Sequence, residues 1–562
     1  MSGFTGSNAY VVVTNKEALL WTDGRYTIQA KKQLGDGWKI MEEATPKSIT
    51  PLDWIVHNMP TNSVVAFDAQ LHTYGDATRI IDVLKSANMK CSILNENLVD
   101  KLWVDRPRRS SNKVIALEKS EHGQESSDKI DEIRKKMMKK KCSSAIFTAL
   151  DDIAWLLNIR GADIPYNPLV YSNVLITEKE AHLFIDENKL DDNIRKRLPV
   201  ITHDYDHTVD WLKNWNEEQI RNNRETHKVL LADTVNYQIG SVFGKDFAVV
   251  GASLIQSMKA RKNDIELERS RLAHMRDSVA LVEFFCWLEN ELRSGNQVTE
   301  LKACEKVKEF REKKPYYVDL SFETIAAVDE HAASPHYAPD QITGQRAITE
   351  HSVFLLDSGA HYRDGTTDVT RTVSYANELE DELKFLNTLV LKGHIDTAMM
   401  QFPDGINGIR IDVISRQHLW ENGLDFGHGV GHGVGHFLNV HEGPIGIGYR
   451  RYSPEGAIHE GMIITIEPGY YSEGKWGIRI ENCYEVVKAP KTRLGSDNFL
   501  TFEPLTYVPI QKSLIDKQLL SKNEVDWLNR YHEKCLEKVG EYLLKEKKKD
   551  VYDWLTKACS RL

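Results

Sequence analysis

Cysteine is scarce in this chain of 562 residues. The seven cysteines are scattered along the sequence, and none of them forms a CxxC pair. A small, odd-numbered and dispersed set is not typical of a disulfide framework or of a thiolate zinc site. The sequence therefore predicts a protein of a reduced, cytoplasmic compartment.

Long apolar runs and a signal-like amino terminus are also absent. No stretch approaches the ~18 apolar residues of a membrane-spanning helix, and no basic segment followed by an apolar one opens the chain. The net charge of −10 argues against nucleic acid as the main partner. With 41% hydrophobic and 27% charged residues, the composition is typical of a soluble globular protein of about three domains. We expect neither a membrane nor a nucleic-acid partner.

Short β-branched runs alternate with helical patterns in the first half. YVVVT at 10–14 and ALLWT at 18–22 predict two strands joined by a hairpin turn. The polar segment DRPRRSSNK at 105–113 predicts a linker, after which the alternation resumes. We therefore predict two α/β domains, residues 1–104 and 105–260.

A long helical pattern at 265–293 opens the second half, and strands that carry acidic residues follow it. Near the carboxyl terminus, Ser521 and Glu524 have the spacing of a capping box at the start of a helix. We predict a catalytic domain at 261–498 and a helical extension at 499–562, packed on that domain or on a partner subunit.

Four carboxylates and one imidazole stand beside glycines or on short apolar strands: Asp357, Asp368, His432, Glu467 and Glu481. Buried carboxylates are costly unless positive charge neutralises them. Four ionised carboxylates balance two divalent cations, and this oxygen-rich set suits manganese, cobalt or zinc pairs better than structural zinc. The pattern therefore predicts a two-metal hydrolase.

The spacing of the acids suggests how they meet. Asp357 ends an apolar strand, and Asp368 opens the next one after a turn at 363–365. Glu467 and Glu481 repeat this arrangement, with Glu481 in a returning strand. Because a hairpin brings facing residues to about 5 Å, each pair is predicted to reach one metal cluster.

Buried ion pairs with Arg371 and Arg479 are the structural alternative, but two arginines do not balance four acids. Three histidines near the acids, His336, His428 and His441, are candidates for proton transfer and substrate binding. His331 and His436 are interpreted as bystanders.

The motifs SGFTGS, WTDGRY, DSGAHYRDGTTDVTRT, GHGVGHGVG, NVHEGP, TIEPGYY and GIRIEN together resemble the pita-bread metallopeptidases. Within that group the chain is similar to the cytosolic Xaa-Pro aminopeptidases over nearly its whole length. The resemblance implies two creatinase-N-like α/β domains, a pita-bread α+β catalytic domain and a helical carboxyl-terminal extension. The family also has residues before SGFTGS, so the first domain is expected to be shortened at its start.

The resemblance implies two Mn2+ ions per subunit, with Zn2+ or Co2+ as possible substitutes. Their ligands would be Asp357, Asp368, His432, Glu467 and Glu481, with Asp368 and Glu481 shared by both ions. Glu467 would also act as general base toward a hydroxide that bridges the metals.

The resemblance also implies substrate-binding residues. His428 and His441 would bind the scissile carbonyl, and His336 would position the substrate or move a proton. Tyr471 and Arg479 would line the pocket for the proline. The implied activity is release of the N-terminal residue from peptides with proline at the second position, by a homodimer formed through the catalytic domain and its extension.

Three alternatives stay open at this stage. A prolidase would use the same chemistry but accept only dipeptides. A non-catalytic peptide- or protein-binding module on this fold would hold no metal. The shortened amino terminus also allows a poorly folded, inactive isoform.

Overall fold

The structure is a computed structural model that describes residues 2–43, 48–94, 96–223, 227–449, 456–491, 494–495 and 497–562. Its internal contacts divide the chain into two units. The first comprises Met1–Gly3, Ala9–Thr22 and Leu34–Lys259. The second comprises Phe4–Asn8, Asp23–Gln33 and Ala260–Leu562. Two short amino-terminal segments therefore belong to the same unit as the second half of the chain.

The elements that begin before residue 260 alternate between strand and helix. The strands are β1 Tyr10–Val13, β2 Ala18–Thr22, β3 Trp38–Glu42, β4 Val64–Asp68, β5 Lys90–Leu94, β6 Ile115–Ala116, β7 Ser144–Phe147, β8 Ile159–Arg160, β9 Ser172–Thr177, β10 Ala181–Ile185, β11 Ile201–His203, β12 Val229–Ala232 and β13 Ala248–Gly251. The α-helices are α1 Thr27–Gln33, α2 Pro51–Asn58, α3 Tyr74–Ser86, α4 Lys119–His122, α5 Ser126–Lys139, α6 Leu150–Leu156, α7 Asp192–Arg197, α8 Thr208–Asn223, α9 Tyr237–Gly240, α10 Gly244–Phe247 and α11 Gln256–Ala260.

A mixed six-stranded sheet dominates the first unit, in the order β11-β10-β9-β7-β12-β13. Strands β7, β10 and β12 are buried at every residue, which is typical of strands covered on both faces. The hairpin predicted near the amino terminus is present, since β1 and β2 pair antiparallel. The predicted α/β fold of this half is confirmed.

The remaining elements form most of the second unit. Its strands are β14 Val298–Thr299, β15 Tyr317–Leu320, β16 Ile325–Val328, β17 Ala347–Ile348, β18 Phe354–Ser358, β19 Ala360–Tyr362, β20 Gly365–Thr366, β21 Val369–Val373, β22 Phe402–Pro403, β23 Gly431–Gly433, β24 Glu442–Ile447, β25 Ile463–Ile466, β26 Gly469–Ser472, β27 Trp476–Arg479, β28 Asn482–Lys488 and β29 Phe499–Pro504. Its α-helices are α12 Asp264–Arg293, α13 Glu300–Glu312, α14 Asp381–Ala398, α15 Asp412–Trp420, α16 Lys522–Lys545 and α17 Lys549–Ala558.

Two antiparallel sheets of this unit carry the acidic residues. One is three-stranded, in the order β16-β18-β21, and the other has the order β22-β29-β28-β25-β23-β24. The helix α12 starts at a capping box formed by Asn263 and Glu266, and it buries Val279, Phe284 and Leu288. The three-stranded sheet packs with α12 and α13 in one apolar cluster, and the six-stranded sheet packs with α12, α14 and α16 in a second one.

The carboxyl-terminal helix α16 starts at the predicted capping box. It contacts the catalytic sheets through Arg371, which is 2% exposed. The Arg371 guanidinium donates hydrogen bonds to the Tyr531 hydroxyl at 2.8 Å and to the Glu481 carbonyl oxygen at 2.6 Å. The extension is thus joined by a buried cation to the backbone of a candidate metal ligand. No helix in the described ranges is both long and apolar enough to cross a membrane.

Candidate metal centre

Asp357 and Asp368 lie at neighbouring positions on two paired strands. In the β18–β21 pair, Asp357 faces Thr370, and Asp368 directly precedes β21. The sequence predicted that the turn at 363–365 joins these two strands, and this prediction is wrong. The turn joins β19 to β20, which belong to a separate sheet with β15. The carboxylates meet because the chain leaves the sheet after β18 and returns to it at β21.

Glu467 and Glu481 are brought together in the same way, by a chain that leaves a sheet and returns to it. Glu467 follows β25 and Glu481 precedes β28, and these strands pair up to Ile466 opposite Asn482. The hairpin β26–β27 lies between them in the sequence and forms its own two-stranded sheet. Glu481 therefore lies between two strands and not inside a returning strand, because the chain re-enters the main sheet only at β28.

His432 lies in the short strand β23, which runs between β24 and β25. A Cβ atom at Gly431 would overlap the Thr465 carbonyl oxygen, so only glycine allows this approach. The His432 ring donates from Nδ1 to the Gly433 carbonyl oxygen at 2.9 Å. The second ring nitrogen, Nε2, therefore faces Asp368 at 3.3 Å and Glu467 at 3.4 Å.

The five predicted ligands converge. Their ligand atoms lie within 4.8 Å of one another in overlapping groups: Asp357, Asp368 and Glu481; His432, Glu467 and Glu481; and Asp368, His432 and His441. Only His441 was not predicted as a ligand. Residues spread over more than a hundred positions of the sequence thus form one continuous cluster of oxygen and nitrogen donors.

The chemistry of this cluster fits a pair of divalent cations. Asp357 Oδ1 and Glu481 Oε1 are buried and have no hydrogen-bond partner in the described part of the chain. Burial raises the pKa of Asp357 to about 6 and that of Glu467 to about 7. Burial, together with the other acids, raises the pKa of Glu481 well above its ordinary value. Bound cations remove this cost, and hard oxygen donors with one imidazole suit such ions.

The pKa of His432 is affected by the same excess of negative charge. Burial alone lowers its pKa, but the hydrogen bond to Asp368 and the charge of Glu467 outweigh burial and raise the pKa to about 9. Without a metal, a proton on Nε2 takes the place of a cation between the imidazole and the two carboxylates.

A hydrogen-bonded network adjoins the acids. Arg479, 3% exposed, donates to Asp357 Oδ2 at 2.6 Å and to the Tyr471 hydroxyl at 2.6 Å. The Tyr471 hydroxyl donates to His428 Nε2 at 2.8 Å, while His428 Nδ1 donates to the Gly429 carbonyl oxygen at 2.7 Å. Both ring nitrogens of His428 are therefore occupied by the protein itself.

The other candidate histidines differ in accessibility. His441 is exposed, and its ring stands edge-on to that of His432 at 4.3 Å. His336 is partly buried, and its ring packs 5.1 Å from that of Tyr26. Burial and the charges of Arg25 and Arg479 lower the pKa of His336 to about 3, so this ring is neutral at pH 7.

The two histidines interpreted as bystanders make other contacts. His331 Nδ1 lies 2.9 Å from Glu300, and His436 Nδ1 lies 3.2 Å from the Ser270 hydroxyl. Neither is among the clustered donor groups found in the described residues.

Comparison with known protein families covers most of the chain. Residues 1–98 and 105–266 match two creatinase/prolidase N-terminal domain families. Residues 268–488 match metallopeptidase family M24, and residues 498–562 match the C-terminal region of peptidase M24. The limits at 104, 260 and 498 that we inferred from the sequence remain our prediction.

Individual relatives are similar over the entire chain. Xaa-Pro aminopeptidase app-1 of Caenorhabditis elegans is 50% identical over 100% of this chain and 91% of its own length. The chain belongs to the Xaa-Pro aminopeptidases of metallopeptidase family M24. A probable Xaa-Pro aminopeptidase P of Laccaria bicolor is 40% identical over 100% of the chain and 87% of its own length.

A solved structure of this family confirms the predicted fold class. It is the crystal structure of X-prolyl aminopeptidase from C. elegans, described as a cytosolic enzyme with a di-nuclear active site. It superimposes with a TM-score of 0.98 and 50% identity, over 100% of this chain and 91% of that chain. The pita-bread fold and the family resemblance predicted from the motifs are thereby confirmed.

Sequence reasoning missed two residues that contact the candidate ligands of this Xaa-Pro aminopeptidase. The Thr370 hydroxyl donates to Glu481 Oε2 at 2.7 Å, and Cys483 Sγ donates to the Asp368 carbonyl oxygen at 3.2 Å. Thr370 had a usable signal, because it lies two positions after the candidate ligand Asp368, and side chains two positions apart in an extended chain point to the same face. Cys483 had none, since its partner is 115 residues away.

Proposed function

We propose that this protein is a dinuclear-metal aminopeptidase that releases the N-terminal residue from peptides with proline at the second position. One observation carries the proposal. Four carboxylates and one imidazole, predicted as ligands from the sequence, converge within 4.8 Å in overlapping groups, in a chain 50% identical to a Xaa-Pro aminopeptidase over its whole length.

The ligands in this proposal are Asp357, Asp368, His432, Glu467 and Glu481. We propose Mn2+ as the metal, with Zn2+ or Co2+ as substitutes, because the donors are mainly oxygen. When bound, such a metal pair lowers the pKa of water and polarises a carbonyl group. Asp368, Glu481 and His432 each belong to two of the overlapping donor groups, and the two carboxylates, with two oxygens each, would be the residues able to hold both ions.

Three side chains would handle protons and the scissile carbonyl. Glu467, which lies 3.4 Å from His432 in the donor cluster, would serve as general base. The exposed His441 can reach the substrate and donate a hydrogen bond to the scissile carbonyl. The neutral His336 orients the peptide or passes a proton toward the leaving nitrogen.

The network of Tyr471, Arg479 and His428 supports the proline pocket. An X-Pro bond is a tertiary amide without an N–H. A pocket that offers no hydrogen-bond acceptor to the nitrogen of this bond therefore favours proline over residues that carry an N–H. Because Tyr471 occupies His428 Nε2, His428 contributes to the scissile carbonyl only if this hydrogen bond opens. Its role in the closed network is to hold the Tyr471 hydroxyl against Arg479.

We also propose a cytosolic homodimer, without membrane or nucleic-acid partners. The related C. elegans enzyme is described as cytosolic. Ile409, Val413 and Trp420, at and beside α15, are 41%, 43% and 48% exposed and supply an apolar face for a second copy of the catalytic domain. Analytical ultracentrifugation of the purified protein tests this, and a monomer at micromolar concentration contradicts it.

The proposed activity is tested with Asp368→Asn and His432→Ala. Both variants should lose hydrolysis of an Arg-Pro-Pro peptide while the protein stays folded by circular dichroism. Asp404→Asn and His459→Ala are matched controls, because they form a partly exposed ion pair away from the acids. Elemental analysis should give close to two metal ions per wild-type chain.

Substrate length separates the aminopeptidase from a prolidase. The proposal requires faster cleavage of an X-Pro-X peptide than of Gly-Pro. Cleavage of the dipeptide alone would assign prolidase activity. If the wild-type protein contains no metal as purified and binds peptides without cleaving them, it is a binding module and not an enzyme.

A further inference from the structure

The segment DRPRRSSNK at 105–113, which the sequence predicted as a linker, has no part in the activity proposed above. Residues 106–113 lie in no helix or strand. Every residue from 101 to 113 is exposed except Ser110, which is partly buried. An enzyme that modifies side chains can take up such a stretch without unfolding an element of the domain.

Three arginines precede Ser111 at fixed distances. Arg106, Arg108 and Arg109 stand five, three and two residues before it. Basophilic serine/threonine kinases carry carboxylates in their peptide groove, and these carboxylates bind arginines at such positions before the serine that is phosphorylated. Because a guanidinium pairs with a carboxylate through two parallel hydrogen bonds, the arginines fix where the Ser111 hydroxyl lies in the groove. Ser110 has arginines one, two and four residues before it and lacks the one three residues before.

The three arginines are open to such a groove. Arg106 pairs with Asp100, and its side chain is 56% exposed. Arg109 pairs with Asp206, and its side chain is 58% exposed. Ion pairs at the surface contribute about 0–1 kcal/mol, so a kinase carboxylate can replace either aspartate at little cost. Arg108 is exposed as well.

Ser143 shows that basic residues at this spacing do not suffice. Lys140 and Lys141 stand three and two residues before it. Its hydroxyl, however, donates to the Lys228 carbonyl oxygen at 3.2 Å and accepts from the Lys228 N–H at 3.3 Å. Ser143 also directly precedes the buried strand β7, so it is not free to enter an enzyme groove in the folded chain. Ser111 combines the basic spacing with an exposed position in an irregular segment.

We propose that Ser111 is a phosphorylation site for a basophilic serine/threonine kinase. The Ser111 hydroxyl oxygen attacks the γ-phosphorus of ATP, the bond from this phosphorus to the β,γ-bridging oxygen breaks, and ADP leaves. The hydroxyl proton passes to a carboxylate base of the kinase and from there to solvent. The inference goes beyond the proposed aminopeptidase activity and does not depend on it.

The phosphate would release a contact of the linker. Arg109 donates to Asp206 Oδ1 at 2.7 Å, and its guanidinium lies 5.8 Å from the ring centre of Tyr171 and 5.2 Å from that of Tyr205. A phosphate on Ser111 would stand two residues from Arg109 and carry a charge of about −1.5 to −2 at pH 7, against the single charge of an aspartate. It therefore competes for the guanidinium, and we expect 105–113 to separate from 204–207.

The test incubates the folded, full-length protein with the catalytic subunit of cAMP-dependent protein kinase and Mg-ATP, and locates phosphate by mass spectrometry. Wild type should gain about one phosphate per chain, on Ser111, and Ser111→Ala should lose it. Arg108→Gln should lower kcat/KM of the kinase about tenfold or more, the size expected for one charge-assisted pair. Arg108→Lys keeps the charge without the paired hydrogen bonds and should fall between the two.

Two control variants and one internal control accompany these. Ser110→Ala removes the neighbouring hydroxyl and should be phosphorylated like wild type. Arg79→Gln changes an arginine that also pairs with an aspartate and is 61% exposed, and it should leave the rate unchanged. Ser143 should carry no phosphate in any folded variant.

Folded wild type without phosphate on Ser111 would overturn the inference. Undiminished incorporation in Ser111→Ala would overturn it too, as would an unchanged kcat/KM in Arg108→Gln. Hydrogen exchange of the phosphorylated chain then tests the consequence. Exchange at 105–113 and 204–207 should become faster than in the unmodified chain, and equal rates would refute the release of Arg109 while the modification site stands.

Discussion

Replacement of the proposed metal ligand Glu467 by glutamine should stabilise the metal-free protein at alkaline pH. In the folded chain, burial raises the pKa of Glu467 from 4.5 to about 7. One pKa unit corresponds to about 1.4 kcal/mol, so ionising this carboxyl in the folded, metal-free protein costs about 3 kcal/mol. Glutamine has a similar shape and does not ionise, so it avoids this cost.

The pH dependence follows from the direction of the shift. The folded protein holds the Glu467 proton up to a higher pH than the unfolded chain does. Metal-free wild type therefore loses stability as pH rises from 4.5 to about 7, and Glu467→Gln lacks this loss. The variant should be more stable by up to about 3 kcal/mol at pH 8 and no more stable at pH 4. With metal bound, wild type should be more stable than Glu467→Gln at pH 8, because metal stabilises the chain that has the complete set of proposed ligands.

Calorimetry of chelator-treated and metal-loaded protein between pH 4 and 8 measures the effect on the transition of the catalytic unit. Glu473→Gln is the control, because Glu473 is exposed in the turn between β26 and β27. The reasoning is refuted if metal-free Glu467→Gln is less stable than wild type at pH 8.

Three other substitutions test the site and its support. His441→Ala should lower kcat by about a hundredfold while elemental analysis finds normal metal content, and a parallel loss of metal would contradict its assignment to the substrate. Gly431→Ala should lower the metal content, because the new methyl group overlaps the Thr465 carbonyl oxygen and displaces the strand of the histidine ligand; full metal occupancy would contradict this. Arg371→Met should destabilise the fold by about 3–5 kcal/mol in urea titration, since Tyr531 and several buried carbonyl groups lose their donor, and an unchanged midpoint would contradict this.

The convergence of the five proposed ligands could be predicted from the sequence because chemistry and position agree there. Asp357 lies at the penultimate position of the apolar strand β18 and Glu467 directly follows β25, and an acid at such a place is costly without a cation. His432 lies among glycines that allow close backbone approach. These signals are local, so a window of about twenty residues around each ligand is sufficient to recognise them.

The path of the chain between the ligands was not predictable in this way. Asp364 and Gly365 have turn chemistry whether they connect β18 to β21 or form a separate hairpin, and only strand pairing decides between the two. The contact of Tyr26 with His336 joins residues about three hundred positions apart, for which the sequence carries no periodic signal. Likewise, the occupation of both His428 nitrogens depends on Tyr471 from a distant hairpin.

The β26–β27 hairpin leaves the main sheet directly after Glu467 and rejoins it directly after Glu481. Its two ends are fixed by the pairing of β25 with β28, so its length and sequence can change without displacing either carboxylate. Tyr471 and Arg479 lie on this hairpin. If Tyr471 and Arg479 line the proline pocket as proposed, a change in this one hairpin would alter which peptides are accepted and leave the proposed metal-binding acids in place.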